Sequence, residues 1–209
     1  MDPLVRLAKF FSEFPGIGER QSKRFVYFLI RKNPEYINEL SALISTIKNT
    51  VHQCTSCFRF FPIVNNASQK EIICEACSSP NTDRGLLMIV EKDADYESIT
   101  QSNMYSGHFF ILGGLMPIIE KNTSQFVRSK ELIAKVKKLI TENKLEEIIL
   151  AFSLNPQGEN TDTYIRKLLA PLLENTSITI STLGRGLSTG TELEYSDDDT
   201  IRNALKNRS

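Results

Sequence analysis

The sequence predicts an α/β fold, α+β overall once its leading helices are counted, built on a mostly parallel sheet. Three observations predict it. From residue 81 onward, short apolar runs alternate with segments of helical period, the pattern of strand–helix–strand units. The first fifty residues carry helical period alone. Between these regions lie all four cysteines of the chain, as Cys54-Thr55-Ser56-Cys57 and Cys74-Glu75-Ala76-Cys77. These features divide the 209 residues into a helical region over 1–53, a cysteine module over 54–80, an α/β domain over 81–183 and a C-terminal segment over 184–209.

In the first region, Leu4, Leu7, Ala8 and Phe11 fall on one face of a helix. The helix must stop near Phe14-Pro15-Gly16-Ile17-Gly18, because proline disfavours helix in the residue before it and glycine reaches backbone angles closed to others. A second helix is expected from about Glu19 to Arg31, with Phe25, Phe28 and Leu29 on its apolar side and Asn33-Pro34 ending it. A third runs from about Tyr36 to Thr50 on Ile37, Leu40, Ile44 and Ile47. The helix–Pro-Gly-Ile-Gly–helix unit resembles a helix-hairpin-helix. At Gly16 and Gly18 the backbone N–H groups can approach a phosphate, and the second helix aims its positive N-terminus at the same place. Arg20 and Arg24 share a face, with Lys23 beside them, so these five residues are the candidate DNA contacts, gripping backbone rather than reading sequence. A plain helical turn with a solvated basic face is the competing reading.

The two Cys-x-x-Cys pairs are sixteen residues apart, a spacing that suits a tetrahedral Zn²⁺ site. Each two-residue gap lets one tight turn present two thiolates, and four thiolates leave no open position. Cys54, Cys57, Cys74 and Cys77 are therefore expected to hold a structural zinc ion. Two disulfides are the alternative, but nothing marks the chain as secreted and cytosolic disulfides are rare. His52 stands close to Cys54, and is read as structural because four cysteines already complete the shell. Phe58, Phe60 and Phe61 are expected to pack beneath the module.

In the α/β region, Leu86–Val90, Phe109–Leu112, Ile148–Phe152 and Ile178–Ile180 read as short buried strands. Helices are expected at Ser129 to Asn143 and about Thr161 to Glu174, with Pro171 kinking or ending the latter. Ligands on such sheets sit at the carboxyl ends of the strands, where Glu91 and Glu159 fall. Asp93, Asp95 and Glu97 read as an acidic helix start, with a weak cation site as the alternative. His108 opens a strand without an evident catalytic partner, and Lys135, Lys137 and Lys138 form a basic cluster on a helix.

The composition, 41% hydrophobic and 24% charged, is that of an ordinary soluble globular protein. No apolar run reaches the length of a membrane span, and the first residues lack the apolar core of a signal peptide, so the cytoplasm is expected and no membrane partner. Net charge is zero but unevenly placed. Residues 1–53 carry eight Lys/Arg against five Asp/Glu, a net of +3, and residues 81–209 carry fifteen against eighteen, a net of −3. A polyanion is expected to meet the first part.

The α/β stretch resembles a Toprim domain, the fold shared by topoisomerases, primases and some nucleases. In that family a Glu ends the first strand and a later motif, Asp-x-Asp-x-Glu-Gly-Glu, completes a Mg²⁺ site for phosphoryl transfer. Glu91 matches the first position. The second motif aligns with Ser153-Leu154-Asn155-Pro156-Gln157-Gly158-Glu159, so three of its acids are replaced by the neutral Ser153, Asn155 and Gln157. Mg²⁺ needs hard anionic oxygens, so no strand cleavage or primer synthesis is expected. A metal-dependent nuclease or primase-like enzyme with a degenerate site is the alternative.

Taken in order, the chain resembles the RecR family of bacterial recombination mediators. The marks are Phe14-Pro15-Gly16-Ile17-Gly18, the four cysteines, Leu112-Gly113-Gly114 with Pro117, Gly158-Glu159, and Gly190-Thr191-Glu192-Leu193-Glu194-Tyr195 running on to Asp199-Thr200. It departs from the family at Gln157, at Ser153-Leu154, at Ser188 and at Arg20, where Lys is commoner. The resemblance implies a non-catalytic DNA-binding clamp in recombinational repair. It implies a homo-oligomeric ring, a tetramer or dimer of dimers. It also implies work with RecO, and in many bacteria RecF, to load RecA on gapped single-stranded DNA. Glu91, Asp95 and Glu159 are the candidate partner contacts on the acidic domain, and Gly184 to Asp199 a candidate interface arm.

Overall fold

A computed structural model of the chain describes residues 2–62, 72–119, 126–142, 144–184, 194 and 200–202. The motif from Gly190 to Tyr195 and the Gly186-Leu187-Ser188 stretch lie outside the described residues, apart from Glu194. The chain forms two compact units, Met1–His52 and Gln53–Ser209.

The first unit is three helices: α1 (Pro3–Ser12), α2 (Glu19–Ile30) and α3 (Pro34–Thr50). Each starts on a local signal. Asp2 caps α1 by accepting from the Leu4 N–H at 2.9 Å. Asn33 caps α3 by accepting from the Tyr36 N–H at 3.0 Å, with Pro34 in the first turn. Asn33-Pro34 thus begins the third helix rather than merely ending the second. Packing is sparse. Among the described residues of this unit only Ala8, Ser22 and Val26 are buried, and α3 buries nothing.

The boundary between the units falls within β1 (Val51–Gln53), which pairs with β2 (Phe60–Pro62) of the cysteine module, and a single helical turn, α4 (Glu75–Ser78), carries the second cysteine pair. The body then runs β3 (Asp83–Val90), α5 (Asp93–Gln101), β4 (Gly107–Ile111), α6 (Ser129–Thr141), β5 (Glu147–Ala151), α7 (Pro156–Leu173) and β6 (Thr179–Thr182). The sheet has the order β4-β3-β5-β6 and every pairing is parallel. Both faces are covered, which is why the strands read as unbroken apolar runs rather than alternating ones. Leu87 and Ile89 of β3 point into a core shared with Phe110, Leu132, Val136, Ile148, Ile165 and Leu169. Met88 and Val90 point the other way, against Phe109 and Ile111, with Tyr96 and Ile99 of α5 over them.

The α7 helix starts at Pro156, five residues before the expected Thr161. Its first turn, Pro156 to Glu159, is polar, and the cap is Asn155, whose side chain accepts from the Gly158 N–H at 2.8 Å. The helix runs past Pro171 to Leu173, so the proline stands in the last turn, where little helix remains to disrupt.

Candidate functional site

The hairpin between α1 and α2 is set by its glycines. Gly16 sits at φ +77°, in the left-handed region that favours glycine. The Ile17 N–H donates to the Phe14 carbonyl at 3.0 Å, closing the turn. Gly18 is the cap residue of α2 and has no side chain to satisfy the helix's first N–H groups, which are left to face an incoming acceptor. Arg20, Lys23 and Arg24 are exposed along the same helix, and among the described residues none forms an ion pair. Arg24 makes a single bond, to the Gln21 side-chain oxygen at 3.3 Å.

The four cysteines converge. Their sulfurs all lie within 4.8 Å of one another, and Cys57 Sγ to Cys74 Sγ is 3.6 Å. Four sulfurs at about 2.3 Å from a central ion would be about 3.8 Å apart, whereas a disulfide would bring a pair to about 2.05 Å. All four are free thiols, three fully buried. The turns are pinned by backbone: the Phe58 N–H donates to the Cys54 carbonyl at 3.0 Å, and the Cys77 N–H to the Cys74 carbonyl at 3.0 Å. The Ser56 and Cys74 N–H groups each point at Cys54 Sγ at 3.4 Å. Crowding couples the thiols, so that Cys54 is driven down by its bond from Cys57 and Cys57 driven up by the same bond. The donor set and spacing fit a divalent ion that takes four thiolates. His52 is not part of the cluster.

The module is docked on the α/β body by contacts that spacing alone could not reveal. The Ile111 N–H donates to the Cys57 carbonyl at 2.8 Å, tying the first knuckle to the end of β4. Phe58, at φ +66°, turns its ring onto Phe110 at 5.4 Å, and so packs on the body's core rather than inside the module. Lys135 Nζ donates to Ser56 Oγ at 2.7 Å. The basic cluster on α6 is therefore split: Lys135 braces the knuckle, while Lys137 and Lys138 stay exposed.

At the carboxyl end of the sheet, Glu91 follows β3 directly and is mostly buried, with Lys92 4.0 Å away. The Leu112 and Gly113 N–H groups extend the β4 ladder to the Val90 and Glu91 carbonyls at 2.8 and 2.9 Å. Ser153, Asn155 and Gln157 occupy the ground where the resemblance places metal-binding acids, and Gly158 stands where the motif itself has glycine. Asn155 is engaged as the α7 cap. A Cβ on Gly158 would stand 1.9 Å from the Ser153 carbonyl oxygen, so the chain passes too close for any side chain there. The acidic stretch after Glu91 is engaged as well. Asp93 Oδ1 accepts from the Phe60 N–H at 2.8 Å and Asp95 Oδ2 from the Lys92 N–H at 3.2 Å, at the start of α5. Glu91, Asp95 and Glu159 do not come together: among the described residues the cysteines form the one cluster of three or more ligating side chains.

A four-stranded parallel sheet between helices, with a Glu directly after its first strand and a four-thiol module at its edge, defines a Toprim-type protein with a metal-binding knuckle. The Toprim domain model matches residues 85–184, and the model for the RecR C-terminal region matches residues 186–209. Recombination protein RecR of Legionella pneumophila is 32% identical over 209 residues, covering 100% of this chain and 97% of the relative. That of Lactobacillus acidophilus is 30% identical over 207 residues, 99% and 96% of the two chains, and that of Chloroherpeton thalassium 32% over 200 residues, 95% and 92%. The chain belongs to the RecR family of recombination proteins.

Proposed function

We propose that the protein is a non-catalytic DNA clamp in recombinational repair, acting in the cytoplasm with RecO and, where present, RecF to load RecA on gapped single strands. The observation that carries the non-catalytic part is Asn155. Its neutral side chain is consumed by the α7 cap, and Ser153 and Gln157 beside it are neutral too, so this end of the sheet offers Mg²⁺ too few anionic oxygens. A protein of this make-up binds and positions; it does not cut. Cleavage of any DNA substrate that needs Mg²⁺ and disappears in Glu91→Gln would overturn this.

The hairpin supports the DNA contact. Gly16, Gly18, Arg20, Lys23 and Arg24 combine free backbone donors, a helix N-terminus and three exposed cations without ion-pair partners among the described residues. Such a contact reads charge, so its strength should fall with salt. Arg20→Ala with Arg24→Ala is expected to weaken binding and flatten the salt dependence by roughly two units of slope, about one per lost phosphate contact. Anisotropy titrations across a salt series measure both, and an unchanged slope would move the contact elsewhere.

Zn²⁺ is the ion we assign to Cys54, Cys57, Cys74 and Cys77, because four thiolates in a closed shell suit it and leave it structural. Oligomerisation is supported by the first unit. It leaves apolar side chains uncovered: Ile44 and Ile47 of the α3 stripe, and Val5, Phe10, Tyr27, Ile30 and Leu43 beside the stripes, are all more than half exposed. Surfaces of that kind mark an interface, and copies of the same chain would cover it. Glu91, Asp95 and Glu159 remain the partner contacts we propose on the acidic domain, as single charges on one end of the sheet that suit a basic partner.

A further inference from the structure

Within the second unit, the cysteine module and the α/β body border an open cleft of about 350 Å³. Arg59, which follows the first knuckle, lines it together with Ser79, Asn81, Thr82, Tyr96 and Ser106. The Arg59 guanidinium lies 4.7 Å from the centre of the Tyr96 ring and donates to the Tyr96 hydroxyl. Tyr96 is itself held edge-on by Phe109 at 4.7 Å, and Phe109 by Tyr105 at 4.9 Å. The cation is therefore mounted on a stack of aromatic rings rather than left on a mobile stem. The opposite wall is also fixed: Thr82 Oγ1 donates to the Ala76 carbonyl at 2.7 Å, and the Asn81 N–H to Ser79 Oγ at 3.2 Å.

The charge is not balanced. Among the described residues no carboxylate pairs with Arg59, although Glu75 lines the same cleft, and Asp93 accepts from the N–H of Phe60, the residue after Arg59. The Arg59 Nε is buried without a partner. A half-buried guanidinium without an anion is costly, and a planar fork held rigid is the geometry that takes an oxyanion. Asn81 and Ser106 add exposed side-chain donors that no hydrogen bond among the described residues occupies. Arg, Ser, Thr and Asn are the side chains that hold nucleic-acid phosphates. We propose that this cleft binds a backbone phosphate of nucleic acid, with Arg59 as the charged donor and Asn81 and Ser106 as neutral ones. The proposal rests on the reading of the protein as a DNA binder, and it adds a contact separate from the hairpin.

Two structural roles compete. Arg59 could only staple the module to α5, or only offset the net −2 charge that four thiolates and a divalent ion would carry. The test uses full-length, zinc-loaded protein and a short oligothymidylate. Arg59→Gln is compared with its parent in the wild-type and in the Arg20→Ala/Arg24→Ala background. The expected result is a weakening of about fivefold in both, the scale of one half-exposed ionic contact, with the salt slope reduced by about 0.7. The Arg59 Nε–H resonance of the wild-type protein is then followed by NMR as oligothymidylate or inorganic phosphate is added, a readout that does not depend on how the variant folds. Movement with the oligonucleotide supports the proposal. Movement with inorganic phosphate alone makes the cleft a small-anion site and overturns it. Lowered zinc content in Arg59→Gln with unchanged affinity and slope assigns Arg59 to the metal's charge and also overturns it. An Arg59 effect that persists while the hairpin variant binds normally would sink the hairpin reading and leave this one standing.

Discussion

Asn155 is a neutral side chain committed to a structural bond, at a position where the Toprim motif carries an acid. As the cap of α7 it contributes about 1 kcal/mol, so Asn155→Ala should lower stability by that much while Asn155→Asp, which caps equally well, should change it by only a few tenths. Gly158→Ala is expected to be far worse, on the order of 2–4 kcal/mol, because the added Cβ would overlap the Ser153 carbonyl and backbone must move. Denaturant melts of the three variants give the order. His108 offers a second residue-scale test. It is 7% exposed at the start of β4, and its Nδ1 has no partner among the described residues. Burial holds its pKa below the usual value, with the nearby charges of Lys135 and Arg84 adding to the effect. The unfolded chain then takes up a proton that the folded one refuses. Stability is complete above about pH 6.5 and is lost as pH falls towards the depressed folded pKa. Melting temperatures of wild type and His108→Gln, followed from neutral pH downward, should diverge in slope in that window, the wild type falling faster.

At the scale of elements, helices and strands were legible because their apolar periods are strong. The three N-terminal helices and the four sheet strands sit where periodicity puts them, to within a few residues. The early start of α7 was hidden because its first turn is polar and contains Gly158, although Asn155-Pro156 is itself a cap signal. The cysteine quartet was legible as a cluster because spacing encodes it. Its docking was not, since Lys135 to Ser56, Ile111 to Cys57 and Phe58 on Phe110 join residues far apart in sequence or turn on a positive φ. The two layers give separate expectations. Zinc can supply about 10–16 kcal/mol to a small module with little else to bury, whereas the body has its own apolar core. Cys54→Ser or Cys77→Ser should therefore release zinc and abolish hydrogen-exchange protection at Cys54 and Phe58, while the amides of β3 and β5 remain protected. Loss of protection across the whole sheet would show that the module and the body fold as one.

For the whole molecule the sequence misleads in an informative way. Leu4, Leu7 and Ala8 on α1, and Ile44 and Ile47 on α3, follow a core-facing period, yet only Ala8 is buried. In the assembly we propose, the period would report burial between copies, which a single chain does not provide. Fully burying one Val, Leu, Ile or Phe side chain contributes about 1.5–3 kcal/mol, so covering even part of the six such side chains that are more than half exposed on α1, α2 and α3 would favour association. Association also solves a problem of affinity. In the clamp we propose, one hairpin would touch few phosphates, and linking copies would raise avidity by roughly 10²–10⁴ without a new contact. Light scattering of zinc-loaded protein, with and without DNA, should therefore give a tetramer, or a dimer that becomes one on DNA. Leu43→Lys with Ile47→Lys, placed on the uncovered face of α3, should shift the mass downward and weaken DNA binding together, although neither residue belongs to the hairpin. If the mass falls and affinity holds, a single hairpin suffices and the clamp is wrong. If the wild type is a monomer under every condition, the apolar face belongs to a different protein, and the hairpins act one at a time.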